Sequence, residues 1–267
     1  MGDRTWTYRP AADHGLPPSE RLKSIRREPG LISVLSHHAA TALLRTHFNL
    51  YHRLHISGRE NLPIKPPFVL ISNHQSHIDA PLLTAILPPA ARASAYPVAA
   101  GDVFFRGFVA TMLSSMLINA LPLWRKKVTT HQLAELRQRL LAGDSGLIIF
   151  PEGTRSRDGT MGSFKPGLGM LVAGTDVPVV PCHIAGAFEA MPHDKTLPRP
   201  HRLRVAVGRP LVFSAASDAR EGWEHVAREA EASVRALARA HPDQAASDIA
   251  RLDERGVGRA EDQSDLN

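Results

Sequence analysis

Two short runs in the chain hold residues whose types and spacing could do chemistry. The first is Asn73-His74-Gln75-Ser76-His77-Ile78-Asp79. A histidine can act as a general base near neutral pH, and an aspartate about a turn further on can accept its other ring N–H, fixing the tautomer and stabilising the imidazolium. Such a pair needs a hydroxyl to work on. No serine stands in a Gly-x-Ser-x-Gly elbow: the nearest match, Gly143 to Leu147, lacks the last glycine and precedes an apolar run instead of following one. A hydroxyl carried by the substrate would serve. His74 would take its proton, and the oxygen would attack an acyl donor with no covalent enzyme intermediate. Most of the 14 histidines must be surface or packing residues, and position is what singles out this one. His77 is a supporting residue in this reading. A rival reading makes His74, His77 and Asp79 the ligands of a metal-dependent hydrolase, although His-x-x-His lacks the i, i+4 face of a His-Glu-x-x-His helix.

The second run is Phe150-Pro151-Glu152-Gly153-Thr154-Arg155-Ser156-Arg157. Gly153 permits close backbone approach, Thr154 and Ser156 offer hydroxyls, and Arg155 and Arg157 are fork donors suited to phosphate oxygens. Lys165 adds an ammonium just before an expected helix, where anions are also favoured. An anion site is one reading and a solvated basic turn is the other. Gly167-Leu168-Gly169 is not a dinucleotide fingerprint, and no Walker loop occurs.

Both runs follow apolar stretches of strand length, Pro67 to Ser72 and Gly146 to Phe150. Around them the pattern alternates. Helices are expected at 80–87, 104–117, 130–142, 166–173 and 217–240, and strands at 93–100, 119–124, 177–184 and 203–207. Alternation of this kind implies an α/β fold with a mostly parallel sheet covered by helices on both faces, and ligands in such sheets bind at the carboxyl ends of the strands. Asn73 and Ser76 would cap the helix that follows the first run. Residues 31–56 read as one or two amphipathic helices preceding the domain, packed on the core through one face or resting a basic face on lipid. The apolar stretch 107–123 holds Thr111, Ser114, Ser115 and Asn119 and falls short of a spanning helix. It reads as a buried core helix or as an apolar wall for an acyl chain.

Composition narrows the classes. The 267 residues suffice for one main folded body, and a single cysteine, Cys182, excludes an intrachain disulfide framework and any multi-cysteine metal site. Lys plus Arg outnumber Asp plus Glu by 32 to 26, so the field should attract anionic partners. Only 6% of residues are aromatic and no aromatic-basic RNA motif is present, which favours anionic lipid over nucleic acid. Residues 1–30 read as a mobile leader without the apolar centre of a secretory signal, 57–243 as the α/β domain and 244–267 as a polar tail.

The two runs together resemble the glycerophospholipid acyltransferase family of 1-acylglycerol-3-phosphate acyltransferase type. Its Asn-His-x-x-x-x-Asp block is matched by Asn73, His74 and Asp79, and its Phe-Pro-Glu-Gly-Thr-Arg-Ser block by Phe150 to Ser156 without a gap. A short apolar strand ending in arginine is matched by Leu121 to Arg125, and an apolar strand ending in proline by Val177 to Pro181. The resemblance covers residues 58–210. It implies acyl transfer from a thioester, acyl-CoA or acyl carrier protein, to the free hydroxyl of 1-acylglycerol-3-phosphate or a related lysophospholipid. A lyso-amino-lipid or glycerol-3-phosphate is the alternative acceptor. His74 would be the base and Asp79 its orienter. Glu152, Gly153, Thr154 and Arg155 would hold the phosphate-bearing head, with Arg125 and Lys165 helping. Glu152, a carboxylate beside a phosphate, would bind a hydroxyl or anchor an arginine. No cofactor or metal is implied beyond the thioester co-substrate. The expected location is the cytoplasmic face of the cell membrane, on its anionic surface, as a peripheral or monotopic protein.

Overall fold

The computed structural model describes residues 15, 17, 31–100, 120–123, 130–192, 195 and 197–240. The expected helix at 104–117, Arg125, almost all of the leader and the tail lie outside them. Among the described residues, seven strands form one sheet in the order β1-β7-β6-β2-β5-β3-β4. They are β1 (His55–Ser57), β2 (Phe68–Ser72), β3 (Ala95–Ala100), β4 (Leu121–Leu123), β5 (Gly146–Ile149), β6 (Val179–Ala185) and β7 (Arg204–Val207). Strands β2 to β6 run parallel; β7 is antiparallel to β6, and β1 is parallel to β7. The sheet is thus mostly parallel, as the alternating pattern implies.

Helices cover both faces. They are α1 (Leu31–Leu50), α2 (Asp79–Ile86), α3 (Pro89–Ala93), α4 (Thr130–Leu141), α5 (Gly167–Val172), α6 (Ala187–Ala190) and α7 (Arg220–Arg239). Successive residues of a strand point to opposite faces. Val69, Ile71, Leu147 and Val179 accordingly pack with Leu136, Leu140, Leu168, Val226, Ala230 and Val234 of α4, α5 and α7. Phe68, Leu70, Ile148 and Val180 pack on the other side with Phe48, Leu82, Leu83, Ala91 and Ala187 of α1, α2, α3 and α6. Burying each such leucine or phenylalanine stabilises the fold by roughly 1.5 to 3 kcal/mol.

Two local readings are corrected, and one short helix was not expected. Residues 31–56 are not helical to their end: α1 stops at Leu50, and His55–Ser57 pair with β7 as a strand. The cause is local and tertiary together, since Arg53 adopts a left-handed backbone (φ 49) and the carbonyl of His52 accepts the Leu203 N–H at 3.0 Å. The strand expected from residue 93 begins at Ala95, because Pro89 at the first turn starts a short helix instead. Helix α6 was hidden in sequence by its four-residue length.

The register of the two central strands is fixed by a glycine. Phe68 of β2 stands opposite Gly146 of β5, and a Cβ on Gly146 would lie 2.2 Å from the Phe68 ring. Only glycine leaves the ring that space, so a slipped pairing that set Phe68 against another residue would collide.

Candidate active site

Register carries the two sequence runs to one place. Ile71 pairs with Ile149, so one-for-one continuation past the strand ends brings His74 level with Glu152. The hydrogen bonds agree. The His74 N–H donates to Glu152 Oε1 at 2.7 Å, and the Ser156 N–H donates to the His74 carbonyl at 2.8 Å. One peptide segment of the first run is therefore clamped from both sides by the second.

The imidazole is held on two sides. Its Nδ1 lies 2.9 Å from Asp79 Oδ2, and its ring stacks on Phe150 with centroids 4.1 Å apart and planes 19° from parallel. A carboxylate only accepts, so Nδ1 carries the proton and Nε2 the lone pair. Nε2 has no partner among the described residues, and the side chain is 15% exposed. Asp79 is fully buried at the start of α2, and its Oδ2 also accepts the Gln75 and Ser76 N–H groups at 2.7 and 2.8 Å. Three donors on one oxygen fix the carboxylate and, through it, the ring.

Asn73 and Ser76 do not cap α2, whose preceding residue, Ile78, makes no side-chain cap. Asn73 extends the sheet instead: its amide donates to the Ile184 carbonyl at 2.9 Å and accepts the Ile184 N–H at 2.8 Å, tying the end of β2 to β6. Ser76 Oγ donates to the Met191 carbonyl at 2.8 Å. Both residues are buried and brace the loop that carries His74.

Glu152 is buried, and its two oxygens accept backbone N–H groups, those of His74 and Gly162, each at 2.7 Å. Burial raises its carboxyl above the usual range, while those two amide bonds oppose the shift. Gly153, next along, turns with a left-handed φ of 72, and a Cβ there would stand 2.8 Å from Lys165 Nζ. The lysine stem therefore folds over the glycine, and the Lys165 N–H donates to the Pro151 carbonyl at 3.0 Å. Gly153, Thr154 and Lys165 are exposed and Arg155 is half-buried, so hydroxyl, guanidinium and ammonium groups gather on the loop that touches His74. Beyond them Asp158 Oδ1 accepts Ser156 Oγ, Thr160 N–H and Thr160 Oγ1, first through the Thr160 hydroxyl, which holds its carboxyl at about 2. Arg125 is outside the described residues. Strand β4, which precedes it in sequence, is parallel to β3.

Among the described residues, no group of three or more His, Cys, Asp or Glu is placed to hold a metal ion. Three residues that shape the site were not legible as such. Gln75 Nε2 donates to the Gly159 carbonyl at 2.5 Å, and Glu231 and Arg235 of α7 bind the backbone of residues 161–164. The spacing of Glu231 and Arg235 marks a helical ion pair, but nothing local tells where that pair points.

The arrangement sets an imidazole with an open nitrogen beside a basic, hydroxyl-rich loop. Comparison with known proteins agrees with the resemblance read from the two runs. The chain is 32% identical over 171 residues to a chloroplastic 1-acyl-sn-glycerol-3-phosphate acyltransferase of Arabidopsis thaliana, covering 62% of this chain and 46% of the relative. It is 31% identical over 131 residues to the human 1-acyl-sn-glycerol-3-phosphate acyltransferase alpha, covering 48% and 44% respectively. The chain thus spans about half the length of these curated relatives. The crystal structure of the 1-acyl-sn-glycerophosphate acyltransferase PlsC from Thermotoga maritima shares the fold, with a TM-score of 0.60 at 24% identity, over 76% of this chain and 78% of that one. The family model described as Acyltransferase matches residues 53–185, from just before β1 to the end of β6. That span encloses His74, Asp79 and the Glu152 bridge in one continuous match, over which the chain is similar to the acyltransferase family.

Proposed function

We propose that this protein transfers a fatty acyl group from an acyl thioester, acyl-CoA or acyl carrier protein, to the free hydroxyl of 1-acylglycerol-3-phosphate, a step of phospholipid synthesis. The observation that carries the reading is the His74 imidazole, tied through Nδ1 to buried Asp79 at 2.9 Å with Nε2 left open beside the basic loop. Nε2 takes the proton of the acceptor hydroxyl as its oxygen attacks the thioester carbonyl carbon. The C–S bond then breaks, and the departing thiolate recovers the proton from His74. The imidazolium formed between these steps is stabilised by Asp79.

Thr154, Arg155 and Lys165, with Gly153 allowing close approach and Arg125 contributing, hold the acceptor phosphate. Glu152 serves this site from behind, through its bonds to the His74 and Gly162 amides. The thioester is a co-substrate, and the reaction as drawn uses no cofactor. Both the acceptor and the product are lipids, so the reaction runs at a membrane surface. The formal charge of +6 favours an anionic one, with the protein bound peripherally or monotopically. None of the described helices is long and apolar enough to cross a membrane.

The test is an in vitro panel of acceptors, 1-acylglycerol-3-phosphate, glycerol-3-phosphate, a lysophospholipid and a lyso-amino-lipid, each with acyl-CoA and with acyl carrier protein thioester, read by mass spectrometry of the products. Diacylated phosphatidic acid as the main product supports the reading. Transfer confined to an acceptor without a phosphate overturns the assignment of Arg155 and Lys165.

A further inference from the structure

The loop between β5 and α5 has no regular structure of its own, yet one side of it is gripped by a helix from outside the family match. Glu231 Oε2 accepts the Phe164 N–H at 2.9 Å. Arg235 Nη2 donates to the Met161 carbonyl at 3.1 Å and lies 3.4 Å from that of Gly162. The two side chains are joined to each other, Arg235 Nε to Glu231 Oε1, at 2.8 Å. The strap 161–164 so held presents the Gly162 N–H to Glu152 Oε2, and the other oxygen of Glu152 receives the His74 N–H. A continuous series of hydrogen bonds therefore runs from α7 to the backbone of the base.

We infer that Glu231 and Arg235 are positioning residues of the active site, which set the strap 161–164 so that Glu152 can clamp His74. Neither touches the reacting atoms. Their pair has an internal contrast on the same helix: Arg220 and Glu224 form an equivalent i, i+4 bridge at 2.9 Å, but its bond spans four residues of the helix instead of reaching the loop. Surface pairs of that kind contribute little to stability. The 231–235 pair differs because Glu231 and Arg235 also bond backbone groups of the strap, 67 and 74 residues away in sequence. Restraint on a catalytic group shows in rate out of proportion to stability, since small displacements of reacting groups cost large factors. This inference rests on the proposed acyl transfer for its kinetic consequence but not for its structural one.

The experiment compares Arg235→Met, Glu231→Ala and the control Arg220→Met in the full-length protein by two readouts. Amide hydrogen exchange without substrate, resolved at peptides containing His74 and Gly162, should accelerate by about tenfold or more in the first two and stay at the wild-type rate in the control. With 1-acylglycerol-3-phosphate and acyl-CoA, kcat should fall about tenfold in the first two, and combining either with Glu152→Gln should add little, because all three act through one strap. Exchange unchanged at His74 and Gly162, or raised equally in Arg220→Met, overturns the inference, as does a kcat within twofold of wild type. So does a combined loss equal to the product of the single ones. A wild-type protein inactive on every acceptor would refute the proposed function, and the exchange data would still decide the brace.

Discussion

The two loops that meet at His74 are built in opposite ways. Residues 73–78 lead from β2 to α2 by a short path in which almost every polar group is used locally or against the neighbouring strand: three donors converge on Asp79 Oδ2, and Asn73 and Ser76 are bonded to backbone carbonyls. Residues 150–166 form a long, largely exposed path from β5 to α5 that is pinned by Glu152, Gln75, Glu231 and Arg235. The proposed function accounts for the division: a base is oriented before the substrate arrives, so its loop is saturated, and a loop proposed to grip a phosphate leaves its donors outward and takes its restraint from elsewhere.

That contrast can be broken from either side. The largest effect is expected from the short loop: His74→Ala removes the base and should lower kcat by about 10² to 10⁴ in a protein that still folds. Asp79→Asn should be nearly as severe, because an amide can offer His74 Nδ1 the wrong group and favour the wrong tautomer. In the long loop, Arg155→Lys keeps the charge and loses the fork, so kcat/KM for the acceptor should drop about ten- to a hundredfold with the donor little affected, as varying each substrate separately would reveal. Glu152→Gln puts an NH2 against one of the two amides it now accepts, and denaturant unfolding should report a loss of about 1 to 3 kcal/mol.

The smallest effect concerns pH. Burial holds the Glu152 carboxyl above its ordinary 4.5, so its protonated form is the one that favours the fold. This contribution is fully present below about pH 4.5 and lost as pH rises through the raised folded value. The stability gap between wild type and Glu152→Gln should therefore narrow as pH rises toward 7. A gap that widens would show that the amide bonds, not burial, dominate.

What was legible in the sequence follows the same division. Strand and helix alternation gave the layered sheet, and the His74 to Asp79 spacing gave the dyad, because both are local patterns within a few residues. The end of α1 and the strand at His55–Ser57 escaped because pairing with β7, remote in sequence, overrides helical periodicity there. Glu152 was visible as a residue but not as a clamp, since its partners are His74, 78 residues away, and Gly162, which only register and loop closure bring near. The grip of α7 on the strap escaped for the same reason, its bonds spanning 67 and 74 residues.

The claim that one loop performs the chemistry while the other holds the acceptor is tested most directly by steady-state kinetics of folded His74→Ala and Arg155→Lys, varying 1-acylglycerol-3-phosphate at saturating acyl thioester. The account predicts that His74→Ala lowers kcat with the acceptor KM near that of wild type, and that Arg155→Lys raises the acceptor KM by more than it lowers kcat. Full kcat in His74→Ala, or an unchanged acceptor KM in Arg155→Lys with the loss appearing in the donor instead, would contradict it.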